Sequence, residues 1–173
     1  MWEQVKRVFS HRWQADDAAE QAVPPALLDK LAAQVGRSEA SHSGEIRIYV
    51  EAGLPMRYLW QSEDMAVITR QRAMAMFGKL GVWDTALNNG VLIYLLLAER
   101  RIEVVADRGL SERVSAEVWP ELVQSMSAAF KAGQFELGLT QAVDEVSALL
   151  SQHFPLTATQ TNRNELPDRP VLG

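Results

Sequence analysis

At 173 residues and 47% hydrophobic content, the chain is long and apolar enough to bury one full core without disulfide or metal staples. Its 17 basic and 22 acidic residues give a net charge of -5, which argues against a general polyanion binder and so against a nucleic-acid partner. Cysteine is absent, which excludes disulfides, thiolate zinc sites and cysteine nucleophiles.

Residues 1–13 place Trp2, Val5, Phe9 and Trp13 at helical spacing, with Lys6, Arg7, His11 and Arg12 alongside. The pattern predicts an amphipathic helix that either packs its aromatics on its own domain or touches an anionic membrane surface or a partner. No apolar stretch of about 7–15 residues follows the basic start, as a secretory leader needs, so a cytoplasmic location is expected. Residues 16–21 read as a polar linker. Pro24-Pro25 then opens a helix, because proline suits the first turn. Leu27, Leu28, Leu31 and Val35 mark its buried side.

Residues 44–51 alternate, with Ile46, Ile48 and Val50 against Glu45, Arg47, Tyr49 and Glu51. This predicts a strand with one face less buried than the other. Residues 53–60, with Pro55, read as loop or turn. Ser62, followed by Glu63 and Asp64, signals a helix start. Ala66, Thr69, Ala73, Met76, Phe77 and Leu80 make one face of that helix, and Gly81 ends it. Strand, helix and strand in succession form a βαβ unit with parallel strands.

The second strand is the apolar run Val91 to Ala98, bounded by Asn88-Asn89-Gly90 and Glu99-Arg100-Arg101. It is far shorter than the about 20 residues that span a bilayer, and being apolar on both faces it must be covered on both. Ile102, Val104, Val105 and Ala106 continue as a strand with Glu103 facing out, and so short a link between the two runs fits only an antiparallel hairpin. Pairing then brings Asn88, Asn89 and Gly90 beside Asp107, Arg108 and Gly109. Asp84, in the loop before, reaches the same rim. Glu45 joins it if the first two strands are parallel.

Farther on, Pro120 sits in the first turn of a helix carrying Leu122, Val123, Met126 and Phe130. A break at residues 130–135 separates it from a last helix built on Leu139, Ala142, Val143, Val146, Leu149 and Leu150. Residues 155–173 are polar, contain Pro167 and Pro170, and are expected to be a disordered tail. The division is therefore an N-terminal helix and linker (1–21), an α/β domain (22–154) and a tail (155–173).

The stretches Ser43-Gly44-Glu45-Ile46-Arg47, Leu80-Gly81-Val82-Trp83-Asp84, Asn88-Asn89-Gly90-Val91-Leu92-Ile93, Val104-Val105-Ala106-Asp107-Arg108-Gly109 and Ala129-Phe130-Lys131-Ala132-Gly133-Gln134-Phe135-Glu136-Leu137-Gly138 together resemble the TPM-domain family. The match runs over roughly residues 25 to 155, and the chain looks like the short bacterial type. The resemblance implies an αβα sandwich, a mixed sheet with helices on both faces. It implies divalent-cation binding at an acidic cluster in some members, and phosphatase activity attributed to plant relatives.

A hard cation, Ca2+ or Mg2+, takes oxygen ligands. Asp84, Asp107, Glu45, Asn88 and Asn89 supply them, although their spacing is not that of an EF-hand loop. The alternative is structural: a turn at Asn88-Asn89-Gly90, a loop cap at Asp84, and an ion pair at Asp107. A metal-dependent phosphatase would also need a phosphate contact and a proton carrier, for which Arg108 and His42 are the candidates. A non-enzymatic module needs only a rigid scaffold and an exposed aromatic, such as Trp83, to meet a protein partner.

Overall fold

The computed structural model describes residue 11, residues 17–157 and residues 162–173. Its centre is a four-stranded mixed sheet in the order β3-β2-β1-β4. The predicted βαβ unit forms it: β1 (Glu45–Glu51), α4 (Met65–Lys79) and β2 (Gly90–Leu96), with the strands parallel and Glu45 opposite Gly90. The predicted hairpin follows, with β2 antiparallel to β3 (Arg101–Ala106) and Val91 opposite Ala106. A single 3-10 turn, Leu97–Glu99, reverses the chain, and Arg100 takes the left-handed conformation at φ 46°.

Two cores flank the sheet. Ile46, Ile48 and Val50 of β1 and Val91, Ile93 and Leu95 of β2 face one core, closed by α1 (Ala18–Ala22), α2 (Pro25–Ser38), α6 (Val118–Lys131) and α7 (Phe135–His153). Tyr49, Leu92, Tyr94 and Leu96 face the other, closed by α3 (Met56–Leu59) and α4. Short elements thus replace two predicted loops: α1 occupies the expected polar linker, and α3 lies within residues 53–60. Asp64, not Ser62, caps α4, accepting the Ala66 N–H at 2.7 Å.

The largest difference from the sequence reading concerns the C-terminal tail. Val171–Leu172 forms β4, which pairs parallel with Tyr49 and Val50 of β1, while Leu166 is buried in the α4-side core. Disorder is therefore the wrong description for residues 162–173. Composition offered no periodic apolar face, and the order comes from partners about 120 residues away: the Arg47 guanidinium donates to the carbonyls of Pro167 and Arg169. The same segment corrects the reading of β1, all seven of whose residues are buried. Glu103 is corrected likewise: its side chain is largely buried and lies 3.5 Å from Arg70.

Of the predicted N-terminal helix, residues 1–10 and 12–13 lie outside the described residues. His11, expected among the polar side chains, is buried: its Nδ1 accepts the Leu54 N–H at 3.1 Å, so Nε2 carries the proton and donates to Glu99 at 3.0 Å. No helix among the described residues is long and apolar enough to cross a membrane.

Candidate functional site at the sheet rim

Three stretches that are distant in sequence meet where β1 and β2 begin and β3 ends. Register alone requires part of this: with Val91 opposite Ala106, the next residues outward are Gly90 and Asp107, and the Asp107 N–H donates to the Gly90 carbonyl at 2.9 Å. The Gly109 N–H donates to the Asn88 carbonyl at 2.8 Å. Two glycines permit the approach. A Cβ on Gly90 would collide with the Val82 carbonyl, and one on Gly109 with the carbonyls of Leu87 and Asn88. The loop bearing Trp83 and Asp84 and the segment bearing Asp107 therefore both close on Gly90.

Within this rim each side chain has a definite role. Asn88 sits at φ 51°, a region asparagine tolerates better than most residues, and its Oδ1 accepts from the Arg108 guanidinium at 3.1 Å. Asp107 caps the four-residue helix α5 (Arg108–Ser111), accepting the Arg108 N–H on Oδ1 at 2.7 Å. Its Oδ2 is buried without a hydrogen-bond partner among the described residues. This helix was missed in the sequence because Asp107-Arg108-Gly109 reads as a turn; the aspartate followed by two free positions was the available cap signal.

Asn89 is fully buried. Its Nδ2 donates to the Ser43 carbonyl at 3.0 Å, tying the starts of β1 and β2 together, while its Oδ1 has no partner among the described residues. Glu45 is also fully buried, on the α4 side of the sheet. One carboxylate oxygen accepts the Leu166 N–H at 3.1 Å and the other, Oε1, has no partner among the described residues. Burial raises the Glu45 pKa; backbone N–H groups of Glu165 and Leu166 oppose the rise, and the charges of Glu165 and Asp168 add to it.

The remaining candidates separate. Asp84 is exposed in a turn closed by its own N–H to the Gly81 carbonyl at 2.9 Å. Trp83 is 54% exposed and its Nε1 donates to Gly78 at 3.3 Å, so the ring covers the last turn of α4 and leaves a face to solvent. His42 is fully buried with Nδ1 on the Gly44 carbonyl at 3.0 Å, and burial lowers its pKa.

Sequence reasoning missed Glu39, the residue that follows α2. It is buried beside Glu45 and Asp168, and burial with those two charges pushes its pKa up to about 8. Among the described residues, no three His, Asp or Glu side chains are grouped so as to hold a metal by themselves. A cation at this rim would have to take amide and backbone oxygens as well.

No curated protein matches the chain. Among solved structures it is similar to the NMR structure of BA42 protein from the psychrophilic bacterium Bizionia argentinensis, at 26% identity and a TM-score of 0.71, over 87% of this chain and 95% of that one. The family model described as the TPM domain matches residues 16–149, which takes in both strands of the βαβ unit, the hairpin and the whole rim, and the chain belongs to the TPM-domain family.

Proposed function

We propose that the domain is a divalent-cation-binding accessory module, which uses calcium or magnesium to set the conformation of its rim loops for a protein partner. One observation carries this reading. Three buried oxygen acceptors at the rim, Glu45 Oε1, Asn89 Oδ1 and Asp107 Oδ2, have no donor among the described residues. Buried acceptors without partners are unfavourable by about 1–3 kcal/mol each, and a hard cation is one means of satisfying them. In the adjoining loops Asp84 adds an exposed carboxylate and Asn88 an amide oxygen, which accepts from Arg108. Trp83 supplies an exposed aromatic for a partner. The setting we assign is the cytoplasm.

Calorimetry tests the cation directly. Wild type should bind calcium or magnesium saturably and Asp107→Ala should not, with far-UV circular dichroism confirming that α5's loss of its cap leaves the fold intact. Equal heats from both proteins would remove the site.

The second reading is a metal-dependent phosphatase acting on phosphomonoesters. It is favoured by Arg108, whose guanidinium is tethered by Asn88 beside Asp107 and could hold a phosphate oxygen. Against it stands His42, too buried to exchange protons with a substrate at the surface. Turnover of a phosphomonoester that requires the cation and disappears in Asp84→Ala would decide for the enzyme.

A further inference from the structure

Next to the rim lies a cavity of about 480 Å³, bordered on the sheet side by Ser43, Ala86 and Leu87. Its outer wall comes from Arg113 in the turn after α5, from the end of α7 and from the C-terminal segment. The charges on that wall do not follow the chain's net charge of -5. Arg113, Arg163 and His153 line it, and Glu165 is the one acidic side chain in the lining. Both oxygens of Glu165 are turned to the Ala86 N–H, at 3.1 and 3.3 Å.

Arg113 is held in place. One guanidinium nitrogen donates to the His153 carbonyl at 2.7 Å, and the guanidinium carbon stands 4.3 Å from the centre of the Phe154 ring. A guanidinium has five N–H donors in a planar fork, so this anchoring leaves donors for a ligand while fixing their direction. Asn162, also in the lining, has a buried side-chain nitrogen with no acceptor among the described residues. The unmet need in this cavity is for an acceptor, the opposite of the rim, where acceptors lack donors.

We infer that this cavity is a binding site for a small oxyanion, a phosphate or carboxylate group carried by a molecule of modest size, gripped by Arg113 and Arg163 and by the Asn162 amide. Its volume falls within the about 300–1,000 Å³ of small-ligand sites. Two forks and an amide donor match the lone pairs of a planar or tetrahedral oxyanion. The site is separate from the cation reading, since none of Glu45, Asn89 or Asp107 lines it.

The test uses the full chain with no added divalent cation. Inorganic phosphate and, separately, citrate are titrated while the Asn162 side-chain amide and the arginine Nε resonances are followed by NMR. Arg163→Ala removes an exposed side chain, and Arg113→Lys keeps the charge but loses the fork.

Saturable binding of either probe is expected, shifting the Asn162 amide, weakened roughly tenfold by Arg163→Ala and measurably by Arg113→Lys, with Asp107→Ala binding as wild type. The probe that binds identifies the phosphate or carboxylate class. Non-saturating shifts, or equal affinity in wild type and Arg163→Ala, would mean diffuse charge attraction and overturn the site. Loss of anion binding in Asp107→Ala would overturn its independence from the rim.

Discussion

Glu45 and Glu51 lie on the same face of β1, six residues apart, and both are almost completely buried, yet they are treated in opposite ways. Glu51 receives Arg72 through two nitrogens, Nε at 2.9 Å and an η nitrogen at 2.5 Å, and the Tyr94 hydroxyl at 2.6 Å. Tyr94 stacks on Tyr49 with centroids 5.9 Å apart, and the Arg72 guanidinium also lies over Tyr58 at 5.5 Å. Burial opposes the Arg72 charge, but Glu51 outweighs it and the arginine's pKa rises. At the other end, Glu45 is met only by backbone N–H groups of Leu166 and Glu165, its Oε1 has no partner among the described residues within hydrogen-bonding geometry, and acids are its neighbours.

A carboxylate fully met by donors stiffens the sheet and has nothing left to offer a ligand. One that is half met, among like charges, is where a cation or a proton is wanted. On the proposed reading, the Glu51 end of β1 serves the structure and the Glu45 end is the one that could take a ligand.

The sharpest way to break this contrast is Arg72→Ala. It strands the Glu51 carboxylate and the Tyr94 hydroxyl in the core, and removing one partner of a buried ion pair destabilises by about 3–5 kcal/mol. Denaturant unfolding should show a loss of that size, with cation binding unchanged in whatever fraction remains folded. A loss under about 1 kcal/mol, the range of exposed pairs, would mean that the network is not buried as described.

At the Glu45 end the corresponding experiment is a pH profile. The folded-state pKa of Glu39 is raised to about 8 from an ordinary value of 4.5, by burial and by the charges of Glu45 and Asp168. Between these values the folded protein holds a proton that the unfolded chain has released. The stabilisation is thus present below about 4.5 and is lost as pH rises through about 8. Glu45 is shifted in the same direction. His42, whose pKa burial lowers, acts oppositely and weakens the fold as pH falls below the ordinary histidine value of 6.5. Glu39→Gln isolates the first effect: the decline in stability between pH 5 and 8 should flatten, and an unaltered slope would place the titration elsewhere.

How far the sequence foretold these two ends follows from how local their causes are. The hairpin and the βαβ unit rest on contiguous signals: the apolar run Val91 to Ala98, its short polar link and the alternation in β1. Register then delivered Asp107 to Gly90 without further information. The Glu51 network depends on Arg72, which is 21 residues away on a helix whose face was read from its apolar residues alone. The Glu45 end depends on Leu166 and Asp168, in a segment whose prolines and polar residues pointed to disorder. Glu45, Arg47 and Glu51 in alternation look like a solvated face. Only the run in β2, which demands cover on both sides, hinted that its parallel neighbour is also buried.

That segment supplies the smallest and most local of the three tests. Arg47 is buried, and its guanidinium holds the carbonyls of Pro167 and Arg169. Beyond it, β4 adds only two residues to the sheet edge, and the Gly173 N–H donates to the Val50 carbonyl at 2.9 Å while the Gly173 carbonyl accepts the Ala52 N–H at 2.9 Å. So short a strand cannot hold itself against chain entropy of about 1–2 kcal/mol per residue, and Arg47 anchors it together with the buried Leu166 and the Arg169–Asp29 ion pair. Arg47→Ala removes charge-assisted hydrogen bonds of about 1.5–3 kcal/mol. Hydrogen exchange at the amides of Ala52 and Gly173 should accelerate in the variant, while those of Ile93 and Leu95 in β2 stay protected. Uniform acceleration across both strands would show that the C-terminal segment and the central sheet open together, and that the Glu45 end is as much a part of the structural core as the Glu51 end.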